Sequence, residues 1–259
     1  MTSIVIKDLS LRYPIYANVS KSLRQGIVNL STGGRVFRDE KVPYVSALNN
    51  INLEIKEGDK VGIIGHNGAG KTTILKTIAG IYKATSGTIE VHGRLTSIFN
   101  TCVGLDLEKN GYDNIIFMGM LLGLKLSEVK GLTPQIAEFS GLGEYLHLPV
   151  KSYSDGMRVR LGFALCTSIE AEILLLDEGI GAGDKDFIEK ATKRVEEFYA
   201  KAKILVISSH SPDLLKKFCN KFLWLEKGSV KAYGGFEVLK QYNNGGITTS
   251  KKNKVKVTA

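Results

Sequence analysis

The chain is poor in cysteine, with only Cys102, Cys166 and Cys219 among its 259 residues. Their odd number and wide spacing, with no CxxC pair and no nearby His, exclude a disulfide scaffold and a thiolate metal centre and predict reduced, packed thiols. A long apolar run is also missing. The longest, Ile115 to Leu124, falls far short of the roughly 20 residues that cross a bilayer, and Lys125 ends it. Met1-Thr2-Ser3-Ile4 lacks a basic region leading into an apolar segment, so no secretory signal is expected and the default compartment is the cytoplasm. The 28 glycines show no three-residue period, which excludes a collagen-like chain, and 43% hydrophobic residues supply the core that a disordered chain lacks.

A net charge of +9 favours an anionic partner, whether nucleotide, nucleic acid or an anionic membrane face. Part of this excess lies at Lys251, Lys252, Lys254 and Lys256, beyond Asn243-Asn244-Gly245-Gly246, a composition expected of a flexible basic tail over 243–259.

Strand character appears at Ile4 to Ile6, Leu9 to Tyr13, Ala47-Leu48 and Ile51 to Ile55. Between these segments, Val19, Leu23, Ile27 and Leu30 share one face of an expected amphipathic helix, with Lys21 and Arg24 among them and Gly33-Gly34 as a stop. The run Val61 to Ile64 leads into a glycine-rich loop, Thr72 to Ile81 has helical spacing, and Thr88 to Val91 reads as a strand. Residues from about 106 to 170 read as an inserted helical lobe. Strands resume at Ile173 to Leu176 and Ile204 to Ile207, joined by a helix over Asp186 to Lys203 with Phe187, Ala191, Val195 and Phe198 on one face. Buried strands alternating with helices imply an α/β fold with a parallel sheet.

Gly65-His66-Asn67-Gly68-Ala69-Gly70-Lys71-Thr72 fits G-x-x-x-x-G-K-[ST] between a strand and a helix. Glycines let backbone N–H groups curl around phosphates, the helix aims its positive end at them, Lys71 adds a cation, and the Thr72 hydroxyl suits Mg²⁺; Thr73 extends the same segment. His66 needs no proton chemistry. Leu174-Leu175-Leu176-Asp177-Glu178 delivers two carboxylates to the C-terminal end of a buried strand, where open parallel sheets bind ligands. Asp177 is the candidate Mg²⁺ ligand, and Glu178 the group that polarises attacking water. His210, after Ile207-Ser208-Ser209, ends another strand and is a candidate partner for the γ-phosphate and that water.

Together with Tyr153-Ser154-Asp155-Gly156-Met157, some twenty residues before the Asp-Glu pair, these motifs make the chain resemble the nucleotide-binding subunit of an ATP-binding cassette (ABC) transporter. The segment stands where that family has LSGGQ, matching at Ser154 and Gly156 while Asp155 and Met157 depart. Gly181-Ala182-Gly183-Asp184 matches the family's D-loop. Met157, Gly179 after the Asp-Glu pair, and the insertion at 16–44 resemble the polysaccharide exporter branch, which exports O-antigen, teichoic acid or capsule.

The resemblance implies a P-loop NTPase (RecA-like) core with a parallel sheet, an antiparallel β subdomain and an inserted helical lobe, over residues 1–242. It further implies ATP and Mg²⁺, a head-to-tail dimer with a second copy, an integral membrane permease, a lipid-linked polysaccharide and a peripheral place on the cytoplasmic face of the inner membrane. In that arrangement Ser154 and Gly156 serve ATP bound by the partner. Asp106 stands where the family's Q-loop has Gln, and either Tyr13 or Tyr44 stacks on adenine, with Tyr13 favoured. On the expected insertion helix, Lys21, Arg24 and nearby Tyr16 are expected to face the channel mouth, where the basic side chains can meet the pyrophosphate of the lipid-linked polymer. A generic transporter ATPase is the alternative. A nucleic-acid-associated cassette is disfavoured because no second cassette, long coiled coil or zinc module is present, and no nucleic acid is expected.

Overall fold

A computed structural model of the chain describes residues 1–14, 35–38, 43–99, 104–177, 185–209 and 211–247. It divides into two compact units, 1–93 with 204–259 and 94–203.

The first unit carries an antiparallel sheet of β1 (Ser3–Pro14), β2 (Arg35–Arg38), β3 (Pro43–Lys56) and β5 (Ser86–His92), in the order β2-β3-β1-β5. The signals at Ile4 to Ile6 and Leu9 to Tyr13 form one strand, whose pairing with β3 shifts register between Ile6 and Leu9. Ile4, Ile6, Leu9 and Leu11 are buried along it. Of the insertion expected over 16–44, β2 pairs with β3 from Arg35↔Ser46 to Arg38↔Pro43; the helix expected over 19–30, with Tyr16, lies outside the described residues.

The same unit holds β4 (Lys60–Ile64), which pairs in parallel with β8 (Ile204–Ser208) on one side and β9 (Lys221–Glu226) on the other. Val61 to Ile64 are all buried, so both faces of β4 are covered, which is why this run is apolar throughout rather than alternating. Helix α1 (Lys71–Ile78) is shorter than the segment 72–81 expected from spacing. Gly80 at φ +74° ends it and leaves Ile81 55% exposed.

The second unit contains the parallel pair β6 (Leu95–Ile98) and β7 (Ile173–Asp177). Its helices are α2 (Gly111–Leu121), α3 (Leu126–Ser140), α4 (Asp155–Cys166) and α5 (Lys185–Lys201). Ile115, Val129, Ile136, Leu146, Leu161 and Leu165 form the core of the helical part, within the region read as a lobe. Back in the first unit, α6 (Pro212–Phe218) precedes β9, β10 (Ser229–Gly234) pairs antiparallel with β9, and α7 (Phe236–Ile247) closes the described chain. That last helix passes the tail boundary drawn at 243, so the expected flexible tail begins inside it. Cys166 and Cys219 are buried and in no disulfide, and burial pushes Cys219 up to about 12.

Candidate functional site

The phosphate-loop motif occupies the turn from β4 into α1, where a loop at the carboxyl end of a parallel strand meets a helix N-terminus. Gly65 is needed by close approach: a Cβ there would collide with the Leu225 carbonyl oxygen of β9. The loop closes on itself as the Ala69 amide donates to the His66 carbonyl at 3.1 Å. Gly70 caps α1 with no side-chain bond, and the first turn holds no acidic residue. The helix end therefore keeps its positive character for an anion.

Lys71 is 8% exposed, and its Nζ donates to the carbonyl oxygens of Gly65 at 2.9 Å and His66 at 3.2 Å. The amine thus reaches from the last turn of the loop back to its first residue. His66 places Nδ1 2.7 Å from the Asn67 carbonyl oxygen, a local contact consistent with a structural role. Thr72 is exposed and Thr73 half-buried.

Tyr13, at the end of β1, belongs to the same unit. Its ring meets Tyr82 edge-on at 5.7 Å. Burial first, and then Tyr82, push its phenol up to about 12, while the Thr73 hydroxyl acts the other way. That interaction brings Tyr13 to α1, one residue past the motif. Tyr44 lies opposite Pro14 in the register and carries the Arg12 guanidinium over its ring at 4.9 Å.

In the second unit, Ser154 is the N-cap of α4, its Oγ accepting from the Met157 amide at 3.2 Å. This leaves the hydroxyl proton for an anion at the helix start. No side chain crowds Gly156: a Cβ there would meet only the Ser154 Oγ, at 3.9 Å. Asp155 is 98% exposed and 3.4 Å from Arg158, a pair that partly offsets the carboxylate at this position. Tyr153 is buried and donates its hydroxyl to the Tyr145 carbonyl at 2.6 Å, anchoring the segment ahead of the cap. Burial raises its pKa.

Asp177 ends β7 half-buried. Glu178, Asp184 and His210 lie outside the described residues.

Asp106, read as standing in the Q-loop, is part of a turn organised by a residue that sequence reasoning did not single out. Asn114 on α2 is 0% exposed. It accepts from the Asp106 amide at 2.7 Å and donates to the carbonyls of Asp106 at 2.9 Å, Lys109 at 3.2 Å and Asn110 at 2.9 Å. The Asp106 carboxylate accepts from the Glu108 amide at 3.1 Å and pairs with Lys109 at 3.7 Å. An apolar helix with one Asn pointing into its loop is the only sequence sign of this arrangement. Tyr82 was also missed, and its place two residues after Gly80 in a turn gave no periodic signal.

The family model described as ABC transporter matches residues 48–181. An O-antigen export system ATP-binding protein from Yersinia enterocolitica is 48% identical over 89% of this chain and 97% of its own length. A teichoic acids export ATP-binding protein from Staphylococcus haemolyticus is 36% identical over 93% of this chain and 88% of its own. Among solved structures, an ATP-binding subunit of an ABC transporter shares the fold at TM-score 0.66 and 23% identity, over 93% of both chains. The dimeric post-hydrolysis structure of an ATP-binding cassette bound to ADP and Pi does so at TM-score 0.63 and 19% identity, over 90% of this chain and 98% of that one. The α/β architecture is accordingly that of a P-loop NTPase with a parallel sheet and an antiparallel subdomain, and the chain belongs to the ABC transporter family.

Proposed function

We propose that the chain is the ATP-hydrolysing subunit that powers export of a lipid-linked cell-surface polysaccharide, O-antigen, across the inner membrane. The observation that carries this reading is the 48% identity to an O-antigen export ATP-binding protein along 97% of that protein's length, on a chain with an intact phosphate loop.

The residues divide the work by their chemistry. Loop amides from Gly65 to Thr72 and the start of α1 hold the β- and γ-phosphates, and Lys71 passes its hydrogen bonds from the Gly65 and His66 carbonyls to phosphate oxygens. Tyr13 stacks on adenine. Glu178 orients the attacking water and takes its proton, His210 contacts the γ-phosphate, and Asp184 lines the dimer side of the site.

Thr72 and Asp177 offer a hydroxyl and a carboxylate, the hard oxygen donors that Mg²⁺ takes alongside substrate phosphates. Bound there, Mg²⁺ would neutralise charge developing on the phosphates.

Two copies arranged head to tail complete each site, with Ser154 and the start of α4 directed at ATP held by the other copy's loop. No helix among the described residues is long and apolar enough to cross a membrane. In this reading an integral membrane permease supplies the channel and holds the subunit at the cytoplasmic face. The domain reading follows: 1–242 forms the cassette, the insertion at 16–44 faces the permease, and the residues from 243 form a basic extension.

The test is surface polysaccharide in cells lacking this chain. Wild-type chain should restore surface O-antigen, and the Lys71→Ala chain should leave the polymer on its lipid carrier inside. Unaltered surface O-antigen in the deletion strain would overturn the assignment. Loss of teichoic acid instead would move the substrate within the same branch.

A further inference from the structure

The phosphate loop is braced from outside its own motif by the turn between β9 and β10, more than 150 residues later in the chain. That turn consists of Lys227 at φ +49° and Gly228 at φ +78°, with Glu226 paired to Ser229 across it. Positive φ at both central residues is the type I′ pattern, which leaves the second amide pointing away from the hairpin ladder. Here the Gly228 amide donates to the Ala69 carbonyl, inside the phosphate loop, at 3.0 Å. The Gly228 carbonyl accepts from the Asn49 amide of β3 at 2.8 Å. Asn49 then clasps the turn with its side chain. Nδ2 donates to the Lys227 carbonyl at 3.4 Å, while Oδ1 accepts from the Ser46 hydroxyl. No room is left for slack: a Cβ on Gly228 would collide with the Ala47 carbonyl, and a Cβ on Gly70 would come within 3.1 Å of the same oxygen and 3.6 Å of the Gly228 Cα.

Resting on the reading of 65–72 as the phosphate loop, we infer that Asn49 and Gly228 are positioning residues for ATP, holding the loop backbone in its phosphate-ready curl through the Ala69 carbonyl. A loop ordered in advance does not bear its ordering cost when nucleotide binds, so the brace acts on affinity and not on the chemical step. The strained position is Lys227, a side chain in the left-handed region at a place where Asn-Gly is the favoured I′ pair. That mismatch makes the turn dependent on the Asn49 clasp and provides a specific rescue.

The experiment uses the full chain and measures the Kd of a fluorescent ATP analogue, KM and kcat for ATP, and the thermal midpoint without nucleotide. Asn49→Ala should raise Kd and KM about 3- to 10-fold, the size of one net hydrogen bond, with kcat and the midpoint near wild type. Adding Lys227→Asn should bring KM back to within about twofold, because Asn-Gly holds the turn by its own backbone preference. Gly228→Ala should raise KM roughly 5- to 100-fold, and if it does not fold, the Asn49 pair decides alone. Wild-type KM in Asn49→Ala, or a raised KM that Lys227→Asn does not lower, overturns the inference. Lys71→Ala is the separate control: wild-type ATP binding by that variant would overturn the phosphate-loop reading itself.

Discussion

Lys71 Nζ stands 2.9 Å from the carbonyl oxygen of Gly65, so the last residue of the phosphate motif before Thr72 is tied to its first. The bond closes the loop with a buried cation at its centre, where the adjoining helix adds positive character of the same sign.

Lys71→Ala removes that cation. Loss of charge-assisted bonds worth about 1.5 to 3 kcal/mol should weaken ATP binding roughly 10- to 150-fold while the chain remains folded. Isothermal titration with ATP reads the effect, and a change below about threefold would remove Lys71 from phosphate binding.

Tyr13 should behave as the adenine platform and Tyr44 should not. Stacking of a base on an aromatic ring is worth about 1 to 3 kcal/mol, so Tyr13→Ala should cost roughly 5- to 150-fold in ATP affinity, with Tyr13→Phe close to wild type. A larger loss from Tyr44→Ala than from Tyr13→Ala would reverse the assignment. The phenol gives a pH signature as well. Because folding raises its pKa to about 12, its contribution to stability is complete below the ordinary tyrosine value near 10 and is lost as pH rises through about 12. Ultraviolet titration should show one tyrosinate with a midpoint near 12 that is absent from Tyr13→Phe.

Asn114→Ala should be among the most destabilising changes in the second unit. It orphans the Asp106 amide and removes a donor shared by three carbonyls around a buried position, at about 1 to 3 kcal/mol for each group left without a partner. Urea unfolding should lose about 2 to 4 kcal/mol. Asn114→Asp should not rescue, since a carboxylate cannot donate to the carbonyls. Wild-type stability in either variant would show that the turn at 106–110 holds without Asn114.

Ser154→Arg should leave nucleotide binding by the monomer nearly intact and abolish turnover that depends on two copies, because Ser154 is expected to serve ATP held by the partner. Sedimentation with ATP reads the dimer. Unchanged ATP-induced dimerisation would count against placing the start of α4 at that interface.

Much of the site was legible because its chemistry is local. The phosphate loop is one contiguous motif between a strand without a polar face and a helix, and the Ser154 cap lies one residue before its helix. What escaped reading is held by contacts distant in sequence. Lys227-Gly228 is a weak turn signal beside Asn-Gly, and its partners Asn49 and Ala69 lie in other elements. Asn243-Asn244-Gly245-Gly246 reads as part of a flexible tail on composition alone. Yet α7 runs through it, because Val238 and Leu239 are buried and Tyr242 meets Trp224 edge-on at 5.5 Å. The short strand β6 was hidden by its position at the start of the second unit, where only Leu95 and Ile98 are apolar in Leu95–Ile98.

Steady-state phosphate release from Mg·ATP by the Glu178→Gln chain, measured beside wild type with sedimentation of both, tests the central claim most directly. Removing only the proton-accepting oxygen should keep ATP binding, reduce turnover by at least about 100-fold, in the range of a lost general base, and trap a dimer with ATP. Turnover near wild type by Glu178→Gln would contradict the account, because the water would then be activated by a group other than the carboxylate after Asp177.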